Sequence, residues 1–368
     1  MTLHSITTAT DPPFVFAYNP YDTDMQPLRR NLMVEPKLTR AWHEATWRCC
    51  SKPGGLVVDV GGNFGWYTLF SIALGCDVVV FEPVPAYQEV MRLGLSLNPG
   101  FASKATIMGN VVYHELGQYN VNMPIADADS GLVSAGMTGM RGEAGVLKRP
   151  GGRATQVRAA AVRIDDLIDR DVCMLKADVE GYEPQALQTA QRLVSAGRAP
   201  VLQFEVSRTI GMRNQSCAML QLLEHIRDLG YDMRKLPGRL MHAALPEDQR
   251  TGWRAAPGQL RDWHSFPRRC TGSCVTNRTD GACADRCDVV GAYLNEFSGY
   301  TMNIVALRRP DAPRPASTAP WPPTVCSAAM YARLKKTVWN KKKALPGHGK
   351  PAKARPRAQK QKKLGNES

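Results

Sequence analysis

Asp59-Val60-Gly61-Gly62-Asn63-Phe64-Gly65 follows the apolar run Leu56 to Val58 and precedes Trp66-Tyr67-Thr68-Leu69-Phe70. The stretch reads as a strand, a glycine turn and a helix. Glycines at such a turn admit positive φ and let a ligand approach closely, while the free N–H groups of the helix start face whatever is bound. A nucleotide-like cofactor is the expected occupant. The dinucleotide fingerprint G-x-G-x-x-G spaces its glycines to bring backbone against a pyrophosphate. Here the pattern is D-x-G-G-x-x-G, and the acid at the strand end, Asp59, would steer a zwitterionic amino-acid moiety rather than a diphosphate.

The residues downstream agree. Val78-Val79-Val80-Phe81 is a β-branched run of buried-strand type, and Glu82 follows it, where a carboxylate can accept hydrogen bonds from both ribose hydroxyls. A generic nucleotide turn with a solvated Glu82 is the alternative. Trp66, Leu69, Phe70, Ala73 and Leu74 recur at helical spacing and read as core, and Val90, Leu93 and Leu97 before Asn98-Pro99-Gly100 give a second helix. Further strands are expected at Ala105 to Val112, Val172 to Ala177, Val201 to Val206 and Met233 to Leu236, with a helix over Leu220 to Leu229. This alternation argues for a doubly wound, mostly parallel sheet with right-handed crossovers. Ligands in such sheets bind outside the carboxyl ends of the strands, a rule that puts Asp59, Glu82, Asn110, Asp178 and Glu205 on one rim.

Several blocks, in order, resemble the FkbM family of S-adenosylmethionine-dependent methyltransferases: Asp59 to Gly65, Phe81-Glu82-Pro83-Val84-Pro85, Leu97-Asn98, Ile164-Asp165-Asp166-Leu167, Leu175-Lys176-Ala177-Asp178-Val179-Glu180-Gly181-Tyr182-Glu183, and Gln203-Phe204-Glu205-Val206. The likeness spans residues 40 to 235, with a last strand near Tyr300 to Leu307. It implies a Rossmann-like class I methyltransferase of α/β class, its twisted sheet mostly parallel with an antiparallel last strand and helices on both faces. It also implies O-methylation of sugar or other small-molecule hydroxyls. The family usually has Ala where Gly62 stands, and the segment between Leu236 and Tyr300 matches nothing in it. Donor-binding residues are expected at Asp59, Gly61, Gly62, Asn63, Gly65, Glu82, Asn110 and Asp178.

Methyl transfer is an in-line displacement, so the enzyme must align donor and acceptor and remove the acceptor's proton. Asp178, Glu180 and Glu205 are the candidate catalytic carboxylates, with Glu183 in support; no ligand set compels a metal. His114, His225, His242 and His264 are available as a base, the last two in the segment expected over the acceptor side. Asp11-Pro12-Pro13-Phe14 spells a motif of enzymes that methylate exocyclic amines of flipped bases, but it follows no apolar strand here and reads as coincidence.

The chain has 368 residues and a net charge of +14. From Tyr331 onward thirteen Lys or Arg stand against one acid, so the body is nearly neutral and the basicity belongs to the tail. Four segments follow: an N-terminal cap over 1–54, a methyltransferase domain over 55–307 with a Cys-containing insertion at about 237–299, a Pro-rich linker over 308–330, and a disordered basic tail over 331–368. Such a tail has too few apolar residues to offset the entropy of ordering it, and it suits contact with a polyanion or no partner at all. No stretch reaches the roughly 20 apolar residues of a transmembrane helix. The chain is expected to be soluble as it stands, with a secretory lumen open to it if the N-terminus is incomplete.

Of ten cysteines, Cys49, Cys50, Cys76, Cys173 and Cys217 lie near apolar segments and are expected to pack as small hydrophobes. Cys270, Cys274, Cys283 and Cys287 are clustered, and disulfides, zinc or free thiols are all compatible with their spacing. The sequence reads best as an O-methyltransferase acting on a carbohydrate or other small metabolite. Its alternatives are a nucleic-acid methyltransferase tethered by the tail and a non-catalytic interaction protein on the same fold.

Overall fold

The computed structural model describes residues 3–20, 25, 28–124, 139–141, 154–206, 210, 215–237, 264–265, 302–312 and 321. Of the sequence expectations, the clustered cysteines at 270–287, His242 and the basic tail lie outside these residues.

The chain opens with an antiparallel hairpin, β1 (His4–Thr7) and β2 (Val15–Tyr18), followed by a short helix α1 (Leu28–Asn31) and the long α2 (Pro36–Cys50). Asp11-Pro12-Pro13-Phe14 forms the hairpin's turn, so the decoy motif is structural. Then the alternation begins: β3 (Leu56–Val60), α3 (Trp66–Ala73), β4 (Asp77–Phe81), α4 (Pro85–Ser96) and β5 (Ala105–Met108). In place of a crossover helix, the chain next runs through β6 (Val111–Val112), β7 (Gln118–Pro124), β8 (Gly139–Arg141) and β9 (Ala154–Val162). These form a second sheet of order β6-β9-β7-β8. The alternation resumes with α5 (Ile164–Leu167), β10 (Met174–Ala177), α6 (Glu183–Gln188), α7 (Gln191–Ser195), β11 (Val201–Val206) and α8 (Ser216–Asp228). It ends in β12 (Tyr231–Pro237), β13 (His264–Ser265) and β14 (Met302–Arg308).

The main sheet has the order β13-β12-β14-β11-β10-β3-β4-β5. Neighbours from β11 through β5 pair in parallel, and β14 is antiparallel to both β11 and β12, as the resemblance implied. One expectation is corrected: the strand read over Ala105 to Val112 is two strands in two sheets. Gly109-Asn110 breaks it, and the Asn110 side-chain amide donates to the Ala160 carbonyl at 3.1 Å, turning the chain onto β9.

Side chains alternate between the two faces of a strand, so each strand feeds two cores. Val57, Val78 and Val80 join Phe14, Phe16, Trp66, Leu69 and Phe70 on the face covered by the hairpin and α2 to α4. Leu56, Val58 and Val60 join Leu187, Leu193, Leu222 and Ile226 on the face covered by α6 to α8. The N-terminal segment is therefore part of the first core, pinned by Asn98. That side chain accepts from the Val15 N–H and donates to the Val15 carbonyl, both at 2.8 Å. Asp165 is structural in the same way: its carboxylate accepts the Arg192 N–H at 2.7 Å at the start of α7. Trp321 is buried against the second core, its ring 4.7 Å from that of His225 on α8.

A second correction concerns the cysteines. Cys49 is bridged to Cys173 and Cys50 to Cys76, and Cys217 is disulfide-bonded as well, so all five exceed the packing role read from their apolar surroundings. No helix among the described residues is long and apolar enough to cross a membrane.

Candidate active site

The carboxyl ends of β3, β4, β10 and β11 make the rim. Gly61, at φ 80°, leaves β3, and its N–H and that of Gly62 both donate to the Phe81 carbonyl, at 2.9 and 3.2 Å. A Cβ at Gly61 would stand 1.9 Å from the Asp178 carbonyl oxygen, so what needs this glycine is the end of β10 pressed against the turn. At Gly62 a Cβ would meet Val80 Cγ2 at 2.3 Å and Met91 Cε at 2.9 Å. Met91 also fills the space beside Gly65, which sits at φ 87° as the cap of α3. The glycines thus serve the protein's own packing as well as any ligand.

Asp59 is turned inward and is 1% exposed. Thr68 Oγ1 donates to its Oδ2 at 2.7 Å, and Lys176 Nζ stands 3.1 Å from its Oδ1. Lys176 also donates to the Gly61 carbonyl at 3.0 Å and lies 4.0 Å from Asp178. Burial pulls the Lys176 pKa down, but Asp59, Asp178 and Glu35 outweigh it and hold the ammonium above its ordinary value. The lysine therefore joins the glycine turn to the β10 block. Sequence reasoning passed over it, although one charged residue in the fully buried strand Met174–Ala177 was the available signal.

Glu82 stands at the end of β4 and is 5% exposed. Its Oε2 accepts the Asn63 N–H at 2.8 Å and its Oε1 the Val84 N–H at 2.9 Å, tying the glycine turn to the start of α4. Burial raises its pKa to about 7 against these two hydrogen bonds. Asn63 holds φ 49°, and its buried Oδ1 has no hydrogen-bond partner among the described residues. An orphaned amide oxygen beside a carboxylate with lone pairs to spare fits a hydroxyl-rich ligand such as a ribose. Asn110, expected on the same rim, has its amide N–H committed to β9.

Across the rim, Asp178, Glu183 and Glu205 bring one carboxylate oxygen each within 4.8 Å of one another. The chain turns sharply here, with Glu180 at φ 54° and Gly181 at φ 100°. Glu183, fully buried at the start of α6, holds that turn by accepting the Val179 and Gly181 N–H groups at 3.1 Å. Burial raises its pKa to about 7, with Asp178 adding to the rise. Glu205, on β11, is pushed well above the usual carboxylate range by burial and then by the negative charges of Asp178, Glu180, Glu183 and Glu35. Asp178 is the open member, its side chain 36% exposed. Of the sequence candidates, Asp178 and Glu205 come within 4.8 Å, Glu180 acts on Glu205 through its charge, and Glu183 completes the triad.

Two further residues come from the N-terminal side. Tyr67 donates to Glu35 Oε2 at 2.7 Å, and Lys176 Nζ lies 5.8 Å from the Tyr67 ring centre. Of the histidines, His114 pairs with Glu115 at 3.6 Å, and His225 packs on Trp321. The backbone of His264 is in β13, at the sheet's outer edge and three strands from Glu205.

The crystal structure of the methyltransferase FkbM from Methylobacillus flagellatus KT is similar at 20% identity, over 49% of this chain and 39% of that one, with a TM-score of 0.33. This chain thus spans well under half the length of that relative. A precorrin-6y C5,15-methyltransferase from Geobacter metallireducens is similar at 11% identity (75% and 88% coverage, TM-score 0.31). So is a SAM-dependent methyltransferase from Geobacter sulfurreducens in complex with S-adenosyl-L-homocysteine, at 12% identity (76% and 93% coverage, TM-score 0.34). No curated protein sequence matches the chain at a significant level. Residues 59–233 match the family model of the methyltransferase FkbM domain, a span that runs from the glycine turn through the acid triad to β12. Over those residues, just under half of the chain, the protein resembles an FkbM methyltransferase domain, and its main sheet, parallel from β11 through β5 with β14 antiparallel, has the class I arrangement which that resemblance implied.

Proposed function

We propose that the enzyme methylates a hydroxyl of a carbohydrate or other small metabolite, and that the carboxylates at the ends of β10 and β11 take the hydroxyl's proton. The observation that carries this reading is the triad of Asp178, Glu183 and Glu205, gathered within 4.8 Å beside the glycine turn. Three carboxyls so close cannot all ionise easily, because each charge raises the cost of the next. A carboxylate whose proton affinity is raised by burial and like charges, as that of Glu205 is, makes a stronger general base than an ordinary one.

S-adenosylmethionine, when bound, supplies a methyl group on a positively charged sulfur. The residues suited to hold it are Asn63 and Glu82 on the ribose side and the glycine turn, with Asp178 facing the methionine end. Glu183 keeps its two backbone partners and positions the loop, which leaves Asp178 and Glu205 as the pair that receives the proton. Net negative charge at this rim also favours a sulfonium over a phosphate. An acceptor that is itself a polyanion would meet repulsion here, which favours a neutral hydroxyl compound over nucleic acid.

Labelled methyl donor offered to pools of glycans, small phenols and RNA tests the assignment. Transfer to glycans or phenols, unchanged on removing 331–368, is the expected result. Transfer to RNA that is lost with the tail would replace it. Activity abolished by a chelator and restored by magnesium would convert the base into a metal-assisted one.

A further inference from the structure

We propose that the four cysteines at the opposite end of the sheet form a covalent staple made by a disulfide oxidant, and that this chain folds and works in an oxidising compartment. Cys50 ends α2, Cys76 immediately precedes β4, and Cys173 immediately precedes β10. The amino ends of the strands thus converge on one knot of sulfur. Cys49–Cys173 and Cys50–Cys76 are bridged, and the Sγ atoms of Cys76 and Cys173, from different bridges, are only 3.7 Å apart. Cys50, Cys76 and Cys173 are at most 2% exposed.

The surrounding backbone is shaped for this approach. A Cβ at Gly75 would stand 2.5 Å from the Cys50 carbonyl oxygen, and one at Gly55 would stand 3.1 Å from Cys76 Sγ. Two glycines therefore let the end of α2 settle onto the strand starts closely enough for the sulfurs to meet. Cys217 is bridged too, and no cysteine among the described residues is free. Thiol-reducing compartments do not sustain such a pattern, whereas secretory and extracellular ones do. For each bridge two thiols lose two electrons and two protons, and a disulfide donor such as oxidised glutathione is reduced to two thiols.

The staple also bears on the active site, because α2 links the bridged cysteines at its last turn to Glu35 at its N-cap. Its far end is capped by Glu35, which holds Tyr67 beside Lys176. Bridging its last turn to β4 and β10, across separations of 26 and 124 residues, sets the helix that carries this contact.

The test is to make the full chain in a secretory host and in a reducing cytosol. Each product is denatured and alkylated with and without prior reduction, and its peptides are mapped by mass spectrometry. The secreted protein is expected to keep Cys49, Cys50, Cys76 and Cys173 unlabelled until reduced, as one cross-linked set. In Cys49→Ser only the Cys173 thiol should become newly reactive in this set, with Cys50–Cys76 intact. Reducing the native protein should lower its melting temperature by about 10 °C. Alkylation of all four without reductant in the secreted protein would overturn the proposal. So would a cytosolic product that melts at the same temperature with free thiols, or one that holds these four thiols on a zinc ion. None of these readouts requires turnover, so they stand apart from the acceptor assignment.

Discussion

Replacing Lys176 by Met should be among the most damaging single changes in the domain. The ammonium and Asp59 are 3.1 Å apart, and both side chains are at most 3% exposed. Opposite unit charges at that distance attract by about 5 kcal/mol at an effective dielectric constant of ~20. Removing one member of a buried pair, which strands the other, typically costs about 3 to 5 kcal/mol. Lys176→Met leaves the Asp59 carboxylate with Thr68 alone and strips the Gly61 carbonyl of its donor. At about 4 kcal/mol, and with a urea slope of about 3 kcal/mol per molar, the midpoint should fall by about 1.3 M. Asp59→Asn should cost less, because Lys176 keeps the Gly61 carbonyl and Asp178. The double variant removes both charges and should cost less than the sum of the singles by at least about 2 kcal/mol. Urea unfolding of the four proteins under one set of oxidising conditions measures the cycle. A Lys176→Met midpoint within about 0.3 M of the parent, or strictly additive singles, would refute the pairing as the tie between the two halves of the rim.

Glu205→Gln should lower kcat by about 100-fold or more while leaving donor affinity within a few-fold, read by steady-state kinetics beside calorimetry. Burial raises the carboxyls of this rim, Glu183 to about 7 and Glu205 well above its ordinary value, and a protonated carboxyl cannot accept the acceptor's proton. The rate should therefore fall on acidification and rise with pH above the ordinary carboxylate range as Glu205 ionises; a profile flat from about pH 5 to 9 would contradict the base assignment. Glu82→Gln should weaken donor binding about tenfold or more with the fold intact, by calorimetry, since an amide cannot accept from two hydroxyls while also holding the Asn63 and Val84 N–H groups. Gly61→Ala should abolish folding or donor binding, because its Cβ would fall 1.9 Å from a backbone oxygen that cannot move independently of β10; near-normal circular dichroism and affinity would count against the contact.

The parts of the site legible in the sequence are those encoded locally. Asp59 to Gly65, Glu82 and Asp178 to Glu183 each sit where a strand ends, and the period of apolar residues marks such ends. Lys176 was also visible, as a charge inside an otherwise apolar strand, yet its meaning depends on Asp59 lying opposite it in the parallel register. Glu35 and Tyr67 were not legible, because they meet only after α2 and α3 pack. The bridges were hidden for a similar reason: cysteine spacing alone does not name partners 124 residues apart, and burial looks the same for a thiol and a bridged sulfur. The second sheet was missed because β7 and β9 lack the continuous β-branched apolar runs of β3 and β4.

The Asp178 carbonyl resting on Gly61 has a consequence for how such an enzyme can be altered. The main chain that presents Asp178, the proposed proton acceptor, is wedged against the glycine loop proposed to hold the donor, so the two motifs behave as the halves of a hinge with no play. Substitutions retuning the acceptor side can work through side chains of β11 and the neighbouring loops. Any redesign that shifts the β10 backbone by even a fraction of an ångström would be transmitted to the donor loop, and variation at the two motifs is therefore expected to be inherited jointly.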